Sequence, residues 1–198
     1  MSMNVSTVTL EGRVVRLEPL GQPHAADLAR SCGEPETWRY FPMPPIASLA
    51  EMQAWIADKE ALAARGEWFA FAIVDRASGR TVGSTSYIDI SPAHHRLEIG
   101  STWLQPAARQ TGINTECKYL LLRNAFESLR ANRVQLKTDA RNLRSQAAIE
   151  RIGATREGVL RAQMVMVDGY LRDSVMYSVI APEWPGVKTR LERLMARG

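Results

Sequence analysis

Alternating apolar and polar positions mark the strands that this chain is expected to form. Three such runs, EWFAFAIVDR, TVGSTSYIDI and RLEIGSTWL, follow one another between residues 67 and 104 with short turn-rich links, and this spacing predicts an antiparallel meander. The same pattern predicts an opening strand in VTLEGRVVRLEPL, a strand at RVQLKTDA, and two closing strands that turn at Asp168 and Gly169. One mixed sheet should therefore form the centre of the fold.

Apolar residues at helical spacing separate these runs and predict helices between the strands. Helices are predicted from His24 to Gly33, from Ser48 to about Arg65, from Ile113 to about Arg130, from Asn142 to Gly153, and in the tail APEWPGVKTRLERLMARG. The proline-rich segment YFPMPPIAS predicts a loop between the first two helices. A strand-helix-strand crossover is thus expected around the third helix.

Length and composition predict one globular domain over residues 1–198. The chain has 45% hydrophobic and 23% charged residues, shows no repeat, and contains no linker that would separate a second domain. No window approaches the 18 apolar residues of a membrane span, and MSMNVSTVTLEGR lacks the basic start of a secretory signal. A cytoplasmic location without a membrane partner is therefore expected.

Cysteine and histidine positions give no sign of a metal site. Cys32 and Cys117 are widely separated, which is more typical of two reduced core thiols than of a disulfide. His94 and His95 stand in a turn without an acidic or cysteine partner at usable spacing. No metal is expected, and the two histidines are interpreted as surface residues.

Charge is unevenly distributed along the chain. Before Arg109 there are 9 Lys and Arg against 12 Asp and Glu, a balance of −3, whereas the remainder has 16 against 9, a balance of +7. The second half should therefore attract an anionic partner, although many of its arginines will be solvated surface. No base-reading motif accompanies this charge, so direct nucleic-acid binding is not expected.

The octapeptide RQTGINTE, residues 109–116, lies between a predicted strand and the predicted helix that follows it. One interpretation is an ordinary turn in which Gly112 relieves backbone strain and Thr111 or Asn114 caps the helix. The other is an anion cradle, because the first N–H groups of a helix lack intrahelical partners and its dipole favours negative charge there. GxxxxGK[ST] and GxGxxG motifs are absent, which disfavours ATP and dinucleotides.

The order of the segments changes the balance between these interpretations. Seven segments follow one another in the second half of the chain: LEIGSTWLQP, RQTGIN, TECKYLLLRNAFESL, RVQLKTD, NLRSQAAIERIGA, EGVLR and DGYLRDSVMYSVI. This succession resembles the GNAT family of acetyl-CoA-dependent N-acetyltransferases, in particular the RimJ/RimL-like group. The resemblance implies an α+β fold with a mixed, mostly antiparallel sheet of about six to seven strands flanked by helices.

The resemblance also implies a site for acetyl-CoA. The family signature [RQ]-x-x-G-x-[GA], which holds the pyrophosphate through backbone amides, is matched by Arg109, Gly112 and Asn114, with Asn114 in place of the final small residue. The cofactor-binding residues implied are Trp103, Leu104, Arg109, Gln110, Thr111, Gly112, Ile113, Asn114, Thr115, Asn142 and Ser145. Asn142 also fits a helix N-cap.

Two catalytic residues are implied by the same resemblance. Amine acetylation requires a neutral amine, so a base or a proton-relaying water is needed. Glu98 is the candidate base, although the alternative interpretation is a surface or salt-bridged strand residue, for example one paired with Arg96. Ser145 is a candidate contact to the coenzyme or its sulfur. The tyrosine that often protonates the thiolate in related enzymes is absent, since Ile149 stands at its position.

The acceptor is expected to contact the loop WRYFPMPP and the closing hairpin. Trp38, Tyr40 and Phe41 would form an apolar wall for it, and Asp168 or Asp173 would attract a cation; packing of the aromatic residues under the loop is the alternative.

These features predict direct acetyl transfer to a primary amine, either a protein N-terminus or a small molecule. The alternative function is a non-catalytic module that binds acetyl-CoA or CoA as a sensor. The final helix and the strand edges favour a homodimer.

Overall fold

The computed structural model describes residues 3–30 and 34–196, and an eight-stranded sheet forms its centre. The strands are β1 (Leu10–Glu11), β2 (Val15–Pro19), β3 (Phe69–Asp75), β4 (Thr81–Ser91), β5 (Arg96–Leu104), β6 (Arg133–Asp139), β7 (Thr155–Val165) and β8 (Leu171–Ile180). Their order across the sheet is β1-β2-β3-β4-β5-β6-β8-β7. Only β5 and β6 pair in parallel among these strands. The predicted mixed, mostly antiparallel sheet is confirmed, with slightly more strands than expected.

Six α-helices accompany the strands in the described residues. They are α1 (Ala25–Ala29), α2 (Pro35–Trp38), α3 (Leu49–Ala64), α4 (Ile113–Arg123), α5 (Leu143–Arg151) and α6 (Trp184–Ala196). The short α2 was not predicted and lies between the predicted first helix and the predicted loop, to which only its Trp38 belongs. Its Pro35 supplies the preset φ that favours a first helical turn. The predicted end of the first helix, including Cys32 and Gly33, lies outside the described residues.

The additional strand arises because the opening run divides in two around Gly12. At this point Glu116, in the first turn of α4, accepts hydrogen bonds from the backbone N–H groups of Arg13, Val14 and Val15 at 2.7, 2.6 and 2.8 Å. A Cβ on Gly12 would lie 2.7 Å from the Glu116 carboxyl carbon. The carboxylate therefore takes the donors that a continuous strand would have given to a neighbour, and it ties the chain start to α4.

The helix predicted through Arg130 changes form before its end. After Arg123, residues Asn124–Ser128 form a π-helical turn. The buried hydroxyl of Tyr87 donates to the carbonyl of Leu121 at 2.6 Å, and the Asn124 side chain donates to the same hydroxyl at 3.3 Å. A side chain inserted into the helical ladder is a recognised cause of such a bulge.

The two faces of the sheet bury different sets of side chains. In β3, Phe69, Phe71 and Ile73 belong to the larger core, which includes apolar residues of α4, α5 and α6. Ala70 and Ala72 point to the smaller core, where α1, α2 and α3 pack. Cys117 lies in the larger core, where burial raises the pKa of its thiol to about 12. None of the helices in the described part of the chain is long and apolar enough to cross a bilayer.

The strands β5 and β6 diverge near the middle of the sheet. Their parallel pairing covers only Arg96–Glu98 and Arg133–Gln135. Beyond this point β5 continues along β4 with an irregularity in which Ser101 adopts a left-handed φ of 48°, whereas β6 continues along β8. The divergence opens a cleft between the carboxyl ends of the two strands.

Candidate active site

The cleft between β5 and β6 encloses about 830 Å³, and it is lined by residues of the strands β4 to β8 and the helices α2 to α5. The starts of α4 and α5 border one end of it. The loop after α2 and the start of β8 border it around Tyr40, whose carbonyl accepts from Arg172 and whose hydroxyl donates to the Arg141 carbonyl, beside the start of α5, at 3.5 Å. Of the predicted residues, Glu98, Tyr40, Phe41, Trp103, Leu104, Arg109, Gln110, Thr111, Asn114, Asn142 and Ser145 line it. One cleft thus contains most of the predicted coenzyme, catalytic and acceptor residues.

The turn before α4 leaves the start of that helix open. Gln110 adopts a left-handed φ of 59°, and Gly112 is the N-cap, which provides no side-chain capping hydrogen bond. The Thr111 hydroxyl donates to the carbonyl of Ala108 at 2.8 Å and accepts from the amide of Ile113 at 3.3 Å. Thr111 therefore braces the turn, while the helix start retains the positive character that attracts anions.

Gly112 itself is not required by the backbone. Its φ of −66° and ψ of −15° suit any residue, and a Cβ at this position would meet no protein atom within 4 Å. The expectation that this glycine relieves backbone strain is therefore wrong. Its missing side chain keeps the helix start accessible from outside the protein.

Three arginines surround this end of the cleft. Arg109 donates through Nε to the Leu104 carbonyl at 2.9 Å and through a terminal nitrogen to the Thr37 hydroxyl at 2.6 Å. Burial lowers the pKa of Arg109, and the charge of Arg144 lowers it further. Arg151 donates to the Thr115 hydroxyl at 2.9 Å. Arg109 and Arg151 donate to neutral oxygens, and none of the three arginines forms a salt bridge in the described residues. Their positive charge therefore remains available to an anion.

Three of the predicted coenzyme residues are not part of the cleft lining. Gly112, Ile113 and Thr115 do not line the cleft. Ile113 packs against the larger core, and Thr115 is buried with its hydroxyl bound to Arg151. Side-chain contacts to a ligand in the cleft are therefore unsupported for these three, and only their backbone can contribute.

Glu98 is buried in the cleft wall with a side chain that β6 holds in place. It is 1% exposed, and its Oε2 accepts from Gln135 Nε2 at 2.9 Å and lies 3.2 Å from Lys137 Nζ. Arg96 instead pairs with Asp89 at 2.7 Å, so the alternative pairing of Glu98 with Arg96 is wrong. A Cβ on Gly100 would lie 2.8 Å from Glu98 Oε1, so Gly100 provides the space that this side chain occupies.

Lys118 is a cleft residue that the sequence interpretation missed. It is 7% exposed, and Nζ donates to the Thr102 hydroxyl at 2.7 Å beside the irregular part of β5. No carboxylate lies within salt-bridge distance in the described residues, and burial lowers its pKa to about 8. Lys118 follows Asn114 by four residues and so shares its helix face, which is the signal that would have identified it.

The start of α5 carries the predicted Asn142 and Ser145. The Asn142 side chain accepts from the amide of Ser145 at 3.0 Å, which confirms the N-cap. The Ser145 hydroxyl has no hydrogen bond to other described residues and lines the cleft. Ile149, where a tyrosine is common in the family, is buried at the same wall.

The aromatic loop is divided between the cleft and the core. Trp38 is 2% exposed, with ring centroids 5.2 Å from Trp103 and 5.6 Å from Phe41. Tyr40 and Phe41 line the cleft, and Trp38 supports them from the smaller core. Direct contact of Trp38 with an acceptor is therefore not supported by its position.

The acidic residues predicted near the acceptor bind local backbone instead. Asp168 accepts from the amide of Tyr170 at 3.0 Å, and Asp173 accepts from the amide of Ala162 at 2.7 Å. Neither lines the cleft. At this end β8 presents a cation, Arg172, which the sequence interpretation also missed.

The described residues contain no group of three or more His, Cys, Asp and Glu side chains that could hold a metal. His94 lies in a 3-10 turn after β4, and His95 follows it with a left-handed φ of 48°. Both lie outside the cleft. No histidine function is derived from this turn.

Comparison with known proteins agrees with this geometry. The profile of the family described as "Acetyltransferase (GNAT) domain" matches residues 15–155. A Bacillus subtilis (strain 168) protein named "Putative ribosomal N-acetyltransferase YdaF" is 34% identical over 110 residues, which span 56% of this chain and 59% of that protein. This chain therefore matches about three fifths of that relative.

Solved structures extend the similarity over nearly the whole chain. A GCN5-related N-acetyltransferase from Brucella melitensis is 30% identical with a TM-score of 0.89, covering 96% of this chain and 86% of that one. Mycobacterium smegmatis RimJ in complex with CoA-disulfide shares the fold at 23% identity and a TM-score of 0.81, covering 95% and 93%. This chain belongs to the GNAT acetyltransferase family, and its relatives support a place among the RimJ/RimL-like N-acetyltransferases within it.

Proposed function

We propose that this N-acetyltransferase takes the acetyl group from acetyl-CoA and transfers it directly to a primary amine. The observation that carries the proposal is the open start of α4: Gln110, Thr111 and Asn114 line the same cleft as buried Glu98, and Gly112 adds no side chain that would block an external anion there. A pyrophosphate fits such a helix start. The donor and the base candidate then face one enclosed space.

The chain offers the donor both backbone and charged side chains. The amides at the start of α4 would bind the pyrophosphate, with Arg109, Arg144 and Arg151 balancing its charge. Beyond Glu98, the edge of β5 that faced β6 is no longer paired, so its backbone groups near Trp103 would be available to an extended amide-containing arm. The Leu104 carbonyl already accepts from Arg109. Asn142 and Ser145 would border that arm from α5.

Bound acetyl-CoA supplies the activated thioester, and Glu98 accepts the proton that the attacking amine loses. A lysine amine is largely protonated when the pH is below its pKa of about 10.4, and an N-terminal amine when the pH is below its pKa of about 8. The Glu98 carboxylate is fixed by Gln135 and Lys137, so it can accept a proton directly or through water without reorienting.

The leaving thiolate requires a proton or a positive charge, and two groups can provide them. Lys118 is a buried ammonium beside the irregular part of β5, and Ser145 is a hydroxyl without a protein partner in the described residues. We assign Lys118 the larger share, because a positive charge in a dry site stabilises developing negative charge strongly. This assignment compensates for the tyrosine replaced by Ile149.

The acceptor class follows only in part from the relatives. The name of the YdaF relative refers to ribosomal N-acetylation, which favours a protein N-terminus, whereas the volume of the cleft also suits a small amine. Tyr40 and Phe41 would form one wall for either acceptor.

Thermal unfolding with and without acetyl-CoA tests the donor assignment. A ligand that binds only the folded state stabilises it by about 2.7 kcal/mol at 100 times its dissociation constant. We expect a saturable rise in melting temperature. No shift at millimolar acetyl-CoA would refute the donor assignment.

Replacing Glu98 by Gln tests the catalytic role. Gln keeps the size of the side chain but cannot accept the amine proton, so turnover of any amine that the wild type acetylates should fall about 100-fold or more. Acetyl-CoA should still raise the melting temperature. Unchanged turnover would remove Glu98 from the mechanism, and coenzyme binding without turnover of a broad amine panel by the wild type would favour the sensor function.

A further inference from the structure

Arg172 is a buried cation at the acceptor end of the cleft. It lies near the start of β8, is 5% exposed, and lines the cleft. One terminal nitrogen donates to the backbone carbonyl of Tyr40 at 3.3 Å, and Nε is buried without a hydrogen-bond partner. Within the described ranges, the bond to Tyr40 is the only hydrogen bond that the Arg172 guanidinium makes, although it has five N–H donors.

The neighbouring carboxylates are committed to other cations. Asp139 accepts from Arg141 at 2.8 and 3.1 Å, and Glu98 accepts from Gln135 and pairs with Lys137. Burial lowers the pKa of Arg172, and the charges of Asp139 and Glu98 act in the opposite direction. Arg172 therefore feels both carboxylates but forms a salt bridge with neither.

A buried charge without a partner is unfavourable, and Arg172 lines the cleft, where a bound anion would compensate for its charge. Lys137 lines the same end of the cleft. An acceptor that carried only an ammonium group would meet two cations here. An acceptor with a negative group as well as an amine would complement Arg172 and Glu98 together.

We propose that the acceptor is an amine that also carries a carboxylate, and that Arg172 binds this carboxylate while the amine faces Glu98. Arginine suits this role because its planar fork can donate two parallel hydrogen bonds to a carboxylate. Two sources present this chemistry: a free amino acid, or a peptide with an acidic side chain near its N-terminus. The inference rests on the proposed acetyl transfer and defines its substrate class.

A purely structural role for Arg172 makes a different prediction. If Arg172 only anchors the loop at Tyr40, its replacement changes stability and lowers the acetylation of all amines alike. If it binds the acceptor carboxylate, its replacement changes the ratio between amines with and without that group. The ratio is therefore the decisive quantity.

The experiment measures CoA thiol release by the full chain with matched acceptors. L-phenylalanine is compared with L-phenylalaninamide, and Ala-Asp amide with Ala-Asn amide. The free carboxylate makes the α-amine of phenylalanine more basic than that of its amide, so reactivity alone favours the amide. In at least one pair we expect kcat/KM to favour the carboxylate member by about tenfold or more, the worth of a charge-assisted hydrogen bond. The pair that responds identifies the source.

Variants separate recognition from folding. Arg172→Gln should reduce the preference to less than about twofold, with Arg172→Lys intermediate, while the melting-temperature shift with acetyl-CoA is retained. Arg161→Gln, at an exposed position of neighbouring β7, is the matched control and should keep the wild-type ratio. If Arg172→Gln does not fold, the wild-type ratios and Arg172→Lys decide the question.

The two proposals fail in different ways. If acetyl-CoA does not stabilise the protein, the donor assignment fails. If acetyl-CoA stabilises it but the wild type acetylates no carboxylate-bearing amine, or acetylates such amines no better than their amides, the Arg172 inference is overturned. A preference that persists in a folded Arg172→Gln variant also overturns it.

Discussion

At the scale of one residue, a side chain added at Gly112 should affect ligand binding but not folding. Its backbone is ordinary and the space around its Cα is open. We expect Gly112→Leu to change the free energy of unfolding by less than about 0.5 kcal/mol. The same change should weaken acetyl-CoA binding about tenfold or more, or about 1.4 kcal/mol, because the side chain would fill the anion position. Urea unfolding and calorimetric titration measure the two effects.

The chain provides a matched control for this substitution. Gly186 in α6 also has open space around its Cα and lies outside the cleft. Gly186→Leu should leave acetyl-CoA binding unchanged. Equal affinities for the Gly112 and Gly186 variants would exclude the helix start as the phosphate site.

Lys118 should give stability a specific dependence on pH. Its pKa is about 8 in the folded protein, whereas the ordinary value for a lysine side chain is 10.5, so between these two values the unfolded chain binds more protons. The free energy of unfolding should therefore rise with pH over this window, and Lys118 contributes at most about 1.4 kcal/mol per pH unit to the rise. Below pH 8 the buried amine is protonated, so the full cost of burying its charge lowers the stability.

The variant Lys118→Met removes this contribution. Urea unfolding at several values between pH 7.5 and pH 10 should show wild-type stability rising relative to the variant. A constant difference between the two proteins would contradict the depressed pKa. Other groups titrate in both proteins, so the difference isolates Lys118.

Sequence reasoning succeeded at single residues where a short-range rule applies. The capping rule placed Asn142 at the start of α5, and the resemblance to the acetyltransferase family identified Glu98, which lines the cleft. Arg172 and Lys118 escaped because their importance depends on which neighbours are absent, and that follows from packing between elements. The burial of Trp38 likewise depends on α3 and Trp103, which lie far from it in sequence.

At the scale of elements, the prediction was strongest for type and weaker for boundaries. Every predicted strand region forms at least one strand, and the closing strands turn at Asp168 and Gly169 as expected. The π-helical turn at Asn124–Ser128 was not predicted, because its cause is the hydroxyl of Tyr87 on β4. The division of the opening run was missed for a similar reason, since Glu116 is about a hundred residues away.

The contact between α4 and the start of β2 should be important for stability. Glu116 is buried and accepts three backbone N–H groups. In Glu116→Gln the side-chain amide would face these donors with one acceptor oxygen fewer, which should cost about 2 to 4 kcal/mol. Glu60→Gln, an exposed change of the same kind, should cost less than about 0.5 kcal/mol. Equal midpoints of the two variants in urea would contradict this role.

At the scale of the whole molecule, positive charge is concentrated at the cleft. The residues from Arg109 onward carry a balance of +7, and Arg109, Arg144 and Arg151 line the cleft. From about 0.1 M to about 1 M NaCl the Debye length falls from about 10 Å to about 3 Å. We expect acetyl-CoA binding to weaken several-fold over this range.

Arg144→Gln should reduce this salt dependence. Arg144 is exposed, so its contribution is long-range attraction that salt screens. Dissociation constants measured for the wild type and the variant at both salt concentrations provide the test. Affinity that does not respond to salt would mean that these cations do not attract the donor.

The Glu116 tether also determines where this domain can be cut. The family profile begins at residue 15, yet two of the three amides that bind Glu116 belong to Arg13 and Val14. A fragment that begins at Val15 would leave a buried carboxylate in the first turn of α4 short of donors. Truncated versions of this protein should therefore retain the chain from Leu10 onward, although the family boundary lies five residues later.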